Sequence, residues 1–166
     1  MQMPVQDDDW DMPEDIRDLR RPEHLLVWAL RVIAVGRADC HAVRQAFVSA
    51  CGQAGDKARM GYFLLVRQIG MTGKRRLKLH MPGCVCLSPD ERAIVAVVAA
   101  AQDAIRTGHD ERLRAHLRWL VEGEPPETFL NVAREVAGAF QDNGLRLPLR
   151  IAAPRPVTLE GAFTVH

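Results

Sequence analysis

Hydrophobic positions recur every three to four residues through most of this chain, interrupted at glycines, and that spacing predicts a bundle of helices. A first helix is expected from Pro22, whose missing N–H suits a first turn. Leu25, Leu26, Ala29, Leu30, Val32 and Ile33 would face inward, and Gly36 would stop it. A second, capped by Asp39, aligns Cys40, Val43, Phe47 and Cys51 and ends at Gly52. A third, capped by Asp56, runs to about Ile69 before Gly70 and Gly73, with Tyr62, Phe63, Leu65, Val66 and Ile69 mostly buried. Ser88-Pro89-Asp90-Glu91 is the clearest start signal: a capping serine, a first-turn proline, an acid at the positive end and a glutamate that closes a capping box. That helix continues through Ile94, Val95, Val98, Ala101 and Ile105 to Gly108. Two more are expected, over roughly 111–121 and from Pro126 until Gly144.

The period shifts to two over 76–87 and again over 145–151. Leu77 and Leu79 alternate with Arg76, Lys78 and His80; Met81-Pro82-Gly83 is turn chemistry; Cys84 to Leu87 reads as a return strand. The expected fold class is mainly α: a single multi-helix domain over 20–151 with one short β-hairpin near 76–87. Within it, 22–87 forms a three-helix plus hairpin unit and 88–144 the helical remainder. Residues 1–19 read as a disordered acidic tail and 152–166 as a C-terminal tail.

With 166 residues, 48% of them apolar, the chain can bury a core without metal or disulfides. Aromatics are only 5%, so aliphatic side chains must fill that core, which favours helix packing. The longest apolar run, Ala93 to Ala101, is about half the ~20 residues that span a membrane. Asp7, Asp8 and Asp9 stand where an export signal carries basic and apolar residues, so we expect a cytoplasmic protein whose four cysteines are reduced.

Charge separates along the chain. Residues 1–19 hold seven acids against Arg17 alone, whereas residues 37–80 hold nine basic side chains against Asp39 and Asp56. Such a field draws anions. Three helices followed by a hairpin resemble a winged helix-turn-helix module in element order, with no motif specific to that family. The resemblance implies a third helix in the major groove, with Lys57 and Arg59 among its contacts, and Lys74, Arg75, Arg76 and Lys78 along a wing against phosphates. Against it, Met60, Tyr62, Phe63, Leu64, Leu65 and Val66 make the third helix apolar for base readout. A solvated basic face is the plainer reading. If the acidic tail folds over the basic middle, it competes with an external polyanion.

His80, Cys84 and Cys86 fall within seven residues, and across a hairpin they would share one face. Two thiolates and an imidazole suit zinc, with Cys40, His41 or Cys51 as a fourth ligand. Cys-X-Cys is not the usual zinc-knuckle spacing, and Cys40 and Cys51 stand ~16 Å apart along a helix. A redox pair at Cys84 and Cys86 fits a reducing compartment less well. No phosphate-binding glycine loop or nucleophile elbow is present. The expected function is a non-enzymatic regulatory or adaptor protein that binds nucleic acid or an acidic protein surface through its basic middle. The alternatives are a protein–protein module or homodimer using helix faces, and a metalloprotein or enzyme using His80, Cys84 and Cys86.

Overall fold

The structure, a computed structural model, describes residues 15–149; residues 1–14 of the acidic tail expected over 1–19, and the tail expected over 152–166, lie outside the described residues. The chain is mainly helical: α1 (Arg21–Ala34), α2 (His41–Cys51), α3 (Gly55–Thr72), α4 (Pro89–Thr107), α5 (Glu111–Leu120) and α6 (Glu127–Asp142). A short 3-10 turn, Ile16–Asp18, precedes α1 and is capped by the Asp15 side chain. It lies within the segment read as tail, and Ile16 and Leu19 pack partly buried against the core.

Helix α4 is the hub, and its composition explains why. From Ala93 to Ala101 every side chain is buried, which is the pattern of a helix enclosed on all sides rather than one with a wet face. Helices α1, α5 and α6 pack around it, and α6 also packs on α3, which carries α2. Small alanines let these neighbours approach closely. The aromatics concentrate at one place: Phe47 of α2 sits 6.1 Å from Tyr62 of α3 and 6.0 Å, edge-on, from Phe140 of α6. The Tyr62 hydroxyl donates to the Leu26 carbonyl of α1 at 2.9 Å, so the buried phenol is satisfied.

Helix starts follow the local chemistry only in part. The Ser88 box forms as expected, with the Glu91 N–H donating to Ser88 Oγ at 3.1 Å and the Ser88 N–H to Glu91 Oε2 at 2.9 Å. Gly108 ends α4 in the left-handed conformation at φ +74°. Helix α2 instead begins after Cys40, which supplies no side-chain cap, and Asp56 lies inside the first turn of α3. Helix α3 also runs through Gly70 to Thr72.

The expected hairpin over 76–87 is not formed. Residues 74–88 are an extended strap whose only bridge among the described residues pairs Cys86 with Asp15, not with the other arm. The alternation read correctly that Leu77 and Leu79 turn toward the core. It could not say where the backbone hydrogen bonds go. They go to side chains of α1 and α4: Lys78 N–H to Asp90 Oδ2 at 2.6 Å, His80 N–H to Glu91 Oε1 at 2.9 Å, and the Cys84 and Cys86 carbonyls to Arg31 at 2.5 and 2.6 Å. Without the hairpin, the winged-helix element order is incomplete. The segment expected as extended near 145–151 is held the same way as far as it is described. Gln102 of α4, buried, donates to the Leu145 carbonyl and accepts from the Leu147 N–H, both at 2.8 Å.

Candidate functional site

The most elaborate polar cluster lies where the strap crosses the start of α4. Arg31 sits among Val27, Leu30 and Val32 in the buried part of α1, 1% exposed, and meets Glu91, wholly buried. Its Nε donates to Glu91 Oε1 at 2.8 Å and its Nη2 to Oε2 at 3.1 Å. With the Ser88 and His80 amides added, four donors saturate the carboxylate. Burial alone would push the Glu91 pKa up, but the Arg31 guanidinium and those two amides outweigh it and hold the carboxyl below its ordinary value. Asp90, also buried, takes both guanidinium nitrogens of Arg75 at 2.8 and 2.5 Å, and Arg75 lies over the Trp119 ring at 5.1 Å. Glu91 thus accepts four hydrogen bonds and Asp90 three, two from Arg75 and one from the Lys78 amide. The cluster is a clamp that fixes the strap.

His80, Cys84 and Cys86 all lie on this strap, but the zinc arrangement expected for them does not form. Among the described residues no group of three or more His, Cys, Asp or Glu side chains is placed to hold a metal ion. The reason is the missing hairpin: the clamp takes the backbone of 80, 84 and 86 one group at a time, so their side chains are not gathered across a ladder. Cys84 and Cys86 remain close, and the Cys84 sulfur holds the Cys86 thiol above its usual range. Cys51, in the core, is pushed up to about 11 by burial and is inert.

The six basic residues expected to meet an anion fall into two groups at opposite ends of α3, ~25 Å apart along its axis. At the start of α3, Lys57 reaches Glu135 at 2.6 Å. Arg59 is buried against Asp56 and the Ala38 carbonyl, both at 3.0 Å. Beyond its end, Arg75 is committed to Asp90, while Lys74, Arg76 and Lys78 are exposed, and among the described residues their side-chain nitrogens form no ion pair.

Between the groups runs a feature that charge counting passed over. Lys57, Met60, Leu64, Arg67 and Met71 succeed one another at alternating intervals of three and four along the outside of α3, and Lys74 follows just past its end. Met60 and Leu64 are each 41% exposed and Met71 is 73% exposed. Among the described residues no element buries this row, and none of the three belongs to the core. The sequence did carry the signal, since an apolar row at 60, 64 and 71 repeats on the face opposite Tyr62, Leu65 and Ile69. No helix of the described residues is long and apolar enough to cross a membrane. No protein-family model, curated protein or solved structure matches the chain.

Proposed function

We propose that the chain is a non-enzymatic cytoplasmic adaptor whose outer α3 face docks an acidic, amphipathic segment of another protein. The observation that carries this reading is the row Met60, Leu64 and Met71, exposed on a helix whose opposite face is fully packed. A helix apolar on two faces has one face too many for its own core. The spacing of three and four is that of a seam between helices. The charged side chains along it are basic, Lys57 and Arg67 with Lys74 just past the helix end, and of these Lys57 is paired with Glu135. A second copy packed across the same row would bring like charges together, so an acidic partner suits it better. The Arg67 methylenes can lie along the partner while its guanidinium meets a carboxylate. The four free thiols fit a reducing compartment. Nucleic acid is the weaker alternative, because Met and Leu are poor readers of base edges.

Two probes separate these readings: a synthetic helical peptide with leucines on one face and glutamates beside them, and a short DNA duplex. The peptide should bind, and Leu64→Glu should weaken it by about tenfold or more without lowering the melting temperature, because burying one leucine stabilises by roughly 1.5–3 kcal/mol. Duplex binding that falls steeply with salt, together with no peptide binding, overturns the proposal.

A further inference from the structure

The strap carries two thiols whose backbone the protein controls with unusual completeness. Cys86 is exposed and Cys84 half-buried, so reagents in solution reach the pair. Cys86 is bridged to Asp15, and the Val85 carbonyl between the two cysteines accepts from the Ile16 N–H at 2.7 Å. In extended chain, alternate residues point to one face, so Cys84 and Cys86 are neighbours on one side of the strap. Their carbonyls are both held by the single guanidinium of Arg31, at 2.5 and 2.6 Å. The other two cysteines are elsewhere: Cys40 precedes α2, and Cys51 is in the core.

We propose that Cys84 and Cys86 form a redox-active dithiol, oxidised by small-molecule disulfides to an internal disulfide, and that closing this bond loosens the strap from Arg31. The exchange runs in two steps. One thiolate of the pair attacks the oxidant's S–S bond, forms a mixed disulfide and releases one small thiol. The second thiol gives its proton to solvent and attacks the protein-side sulfur, expelling the other small thiol. Two electrons pass from the pair to the oxidant, and the protein loses two hydrogens. The mutual influence of the two sulfurs, which keeps the Cys86 proton on, is what two thiols sharing one patch produce.

The coupling to Arg31 follows from distances. Alternate residues of extended chain have Cα atoms ~6.6 Å apart. A disulfide prefers about 5.5–6 Å. Closing the bond must also bring the two Cβ atoms to about 3.5–4.5 Å, so the chain bends at Val85 and the peptide units at 84–86 tilt. Those units carry the two carbonyls on Arg31 and the one on Ile16. Oxidation therefore acts on the joint between the strap, α1 and the 3-10 turn, with the core untouched.

The test uses the full chain, reduced and then incubated with excess oxidised glutathione, alkylated after unfolding and weighed intact. We expect two of the four cysteines to escape alkylation without a glutathione adduct, and a peptide map to join Cys84 to Cys86. Cys84→Ser and Cys86→Ser should each leave an adduct on the remaining thiol, whereas Cys40→Ser should change nothing. The Ile16 amide should exchange with solvent roughly fivefold faster in the oxidised form, as expected for losing one hydrogen bond. Persistent mixed disulfides, a bridge to Cys40 or a bridge between two chains overturns the dithiol. Unchanged Ile16 exchange in the oxidised form overturns its coupling to the strap.

Discussion

Replacing Arg31 and Glu91 together by apolar residues of similar size, Arg31→Met with Glu91→Leu, separates two views of this buried pair. Removing Glu91 alone strands a positive charge that is 1% exposed, which costs about 3–5 kcal/mol. It also orphans the Ser88 and His80 amides, at about 1 kcal/mol each. Roughly 5–7 kcal/mol is comparable to the whole stability of an ordinary domain, so Glu91→Ala should barely fold. The double change is more informative. An isolated buried ion pair exchanged for apolar side chains is often neutral, or stabilising by about 1–4 kcal/mol. Here the pair also holds four strap backbone groups: the Cys84 and Cys86 carbonyls and the His80 and Ser88 amides. Losing those at about 1 kcal/mol each outweighs the typical gain, leaving the double variant about 2 kcal/mol less stable than the parent. Urea unfolding followed by helical circular dichroism measures this, and amide exchange at His80 and Ser88 reports on the strap directly. A double variant as stable as the parent, with those amides still protected, would refute the clamp.

Acid should destabilise the fold in two windows. His116 is 1% exposed, and among the described residues neither ring nitrogen has a hydrogen-bond partner. Burial, with the Arg112 charge adding to it, lowers its pKa to about 4 from 6.5. The unfolded chain takes this proton first, so stability is complete above pH 6.5 and about 3 kcal/mol is lost as pH falls to 4. His116→Leu should flatten stability against pH in that window, and an unchanged slope would rule the histidine out. Glu91, held below its ordinary value, contributes stability that is complete above about pH 4.5 and vanishes as pH falls through its folded value, so its loss comes at lower pH. Two glycines of α3 should respond in opposite directions. A Cβ on Gly55 would stand 2.5 Å from the Phe47 carbonyl oxygen and the Val48 Cα, so Gly55→Ala should cost about 2 kcal/mol or more in thermal unfolding. Gly70 has nothing within 4 Å of the added carbon, and Gly70→Ala should raise stability by about 0.5–1 kcal/mol. Equal effects at the two positions would contradict the packing of α2 on α3.

Elements governed by neighbouring residues were legible in the sequence, and those governed by distant ones were not. The Ser88 box and the Gly108 stop are set within one helical turn, and both stand as read. The strap depends on Arg31 and Glu91, sixty residues apart, and no local period announces that bond. A hint existed: Arg31 interrupts the buried face Leu26, Ala29, Leu30, Val32, where a charge demands a partner. The basic residues illustrate the same limit. Counting found nine positive side chains between 37 and 80, but whether a guanidinium is spent on Asp90, as Arg75 is, or without an ion pair among the described residues, as Arg76 is, depends on where α4 docks. The exposed row on α3 was visible as spacing and was weighed only as an obstacle to reading DNA.

The strap makes one short-range backbone bond of its own, Cys84 N–H to the Met81 carbonyl at 3.1 Å. Its order is otherwise borrowed. On a ribosome, Arg31 emerges sixty residues ahead of the glutamate that neutralises it, so the first three helices must wait, with an uncompensated guanidinium on their inner face, until α4 arrives. Residues 74–88 can make their amide bonds to Asp90 and Glu91 only once that start of α4 has been synthesised.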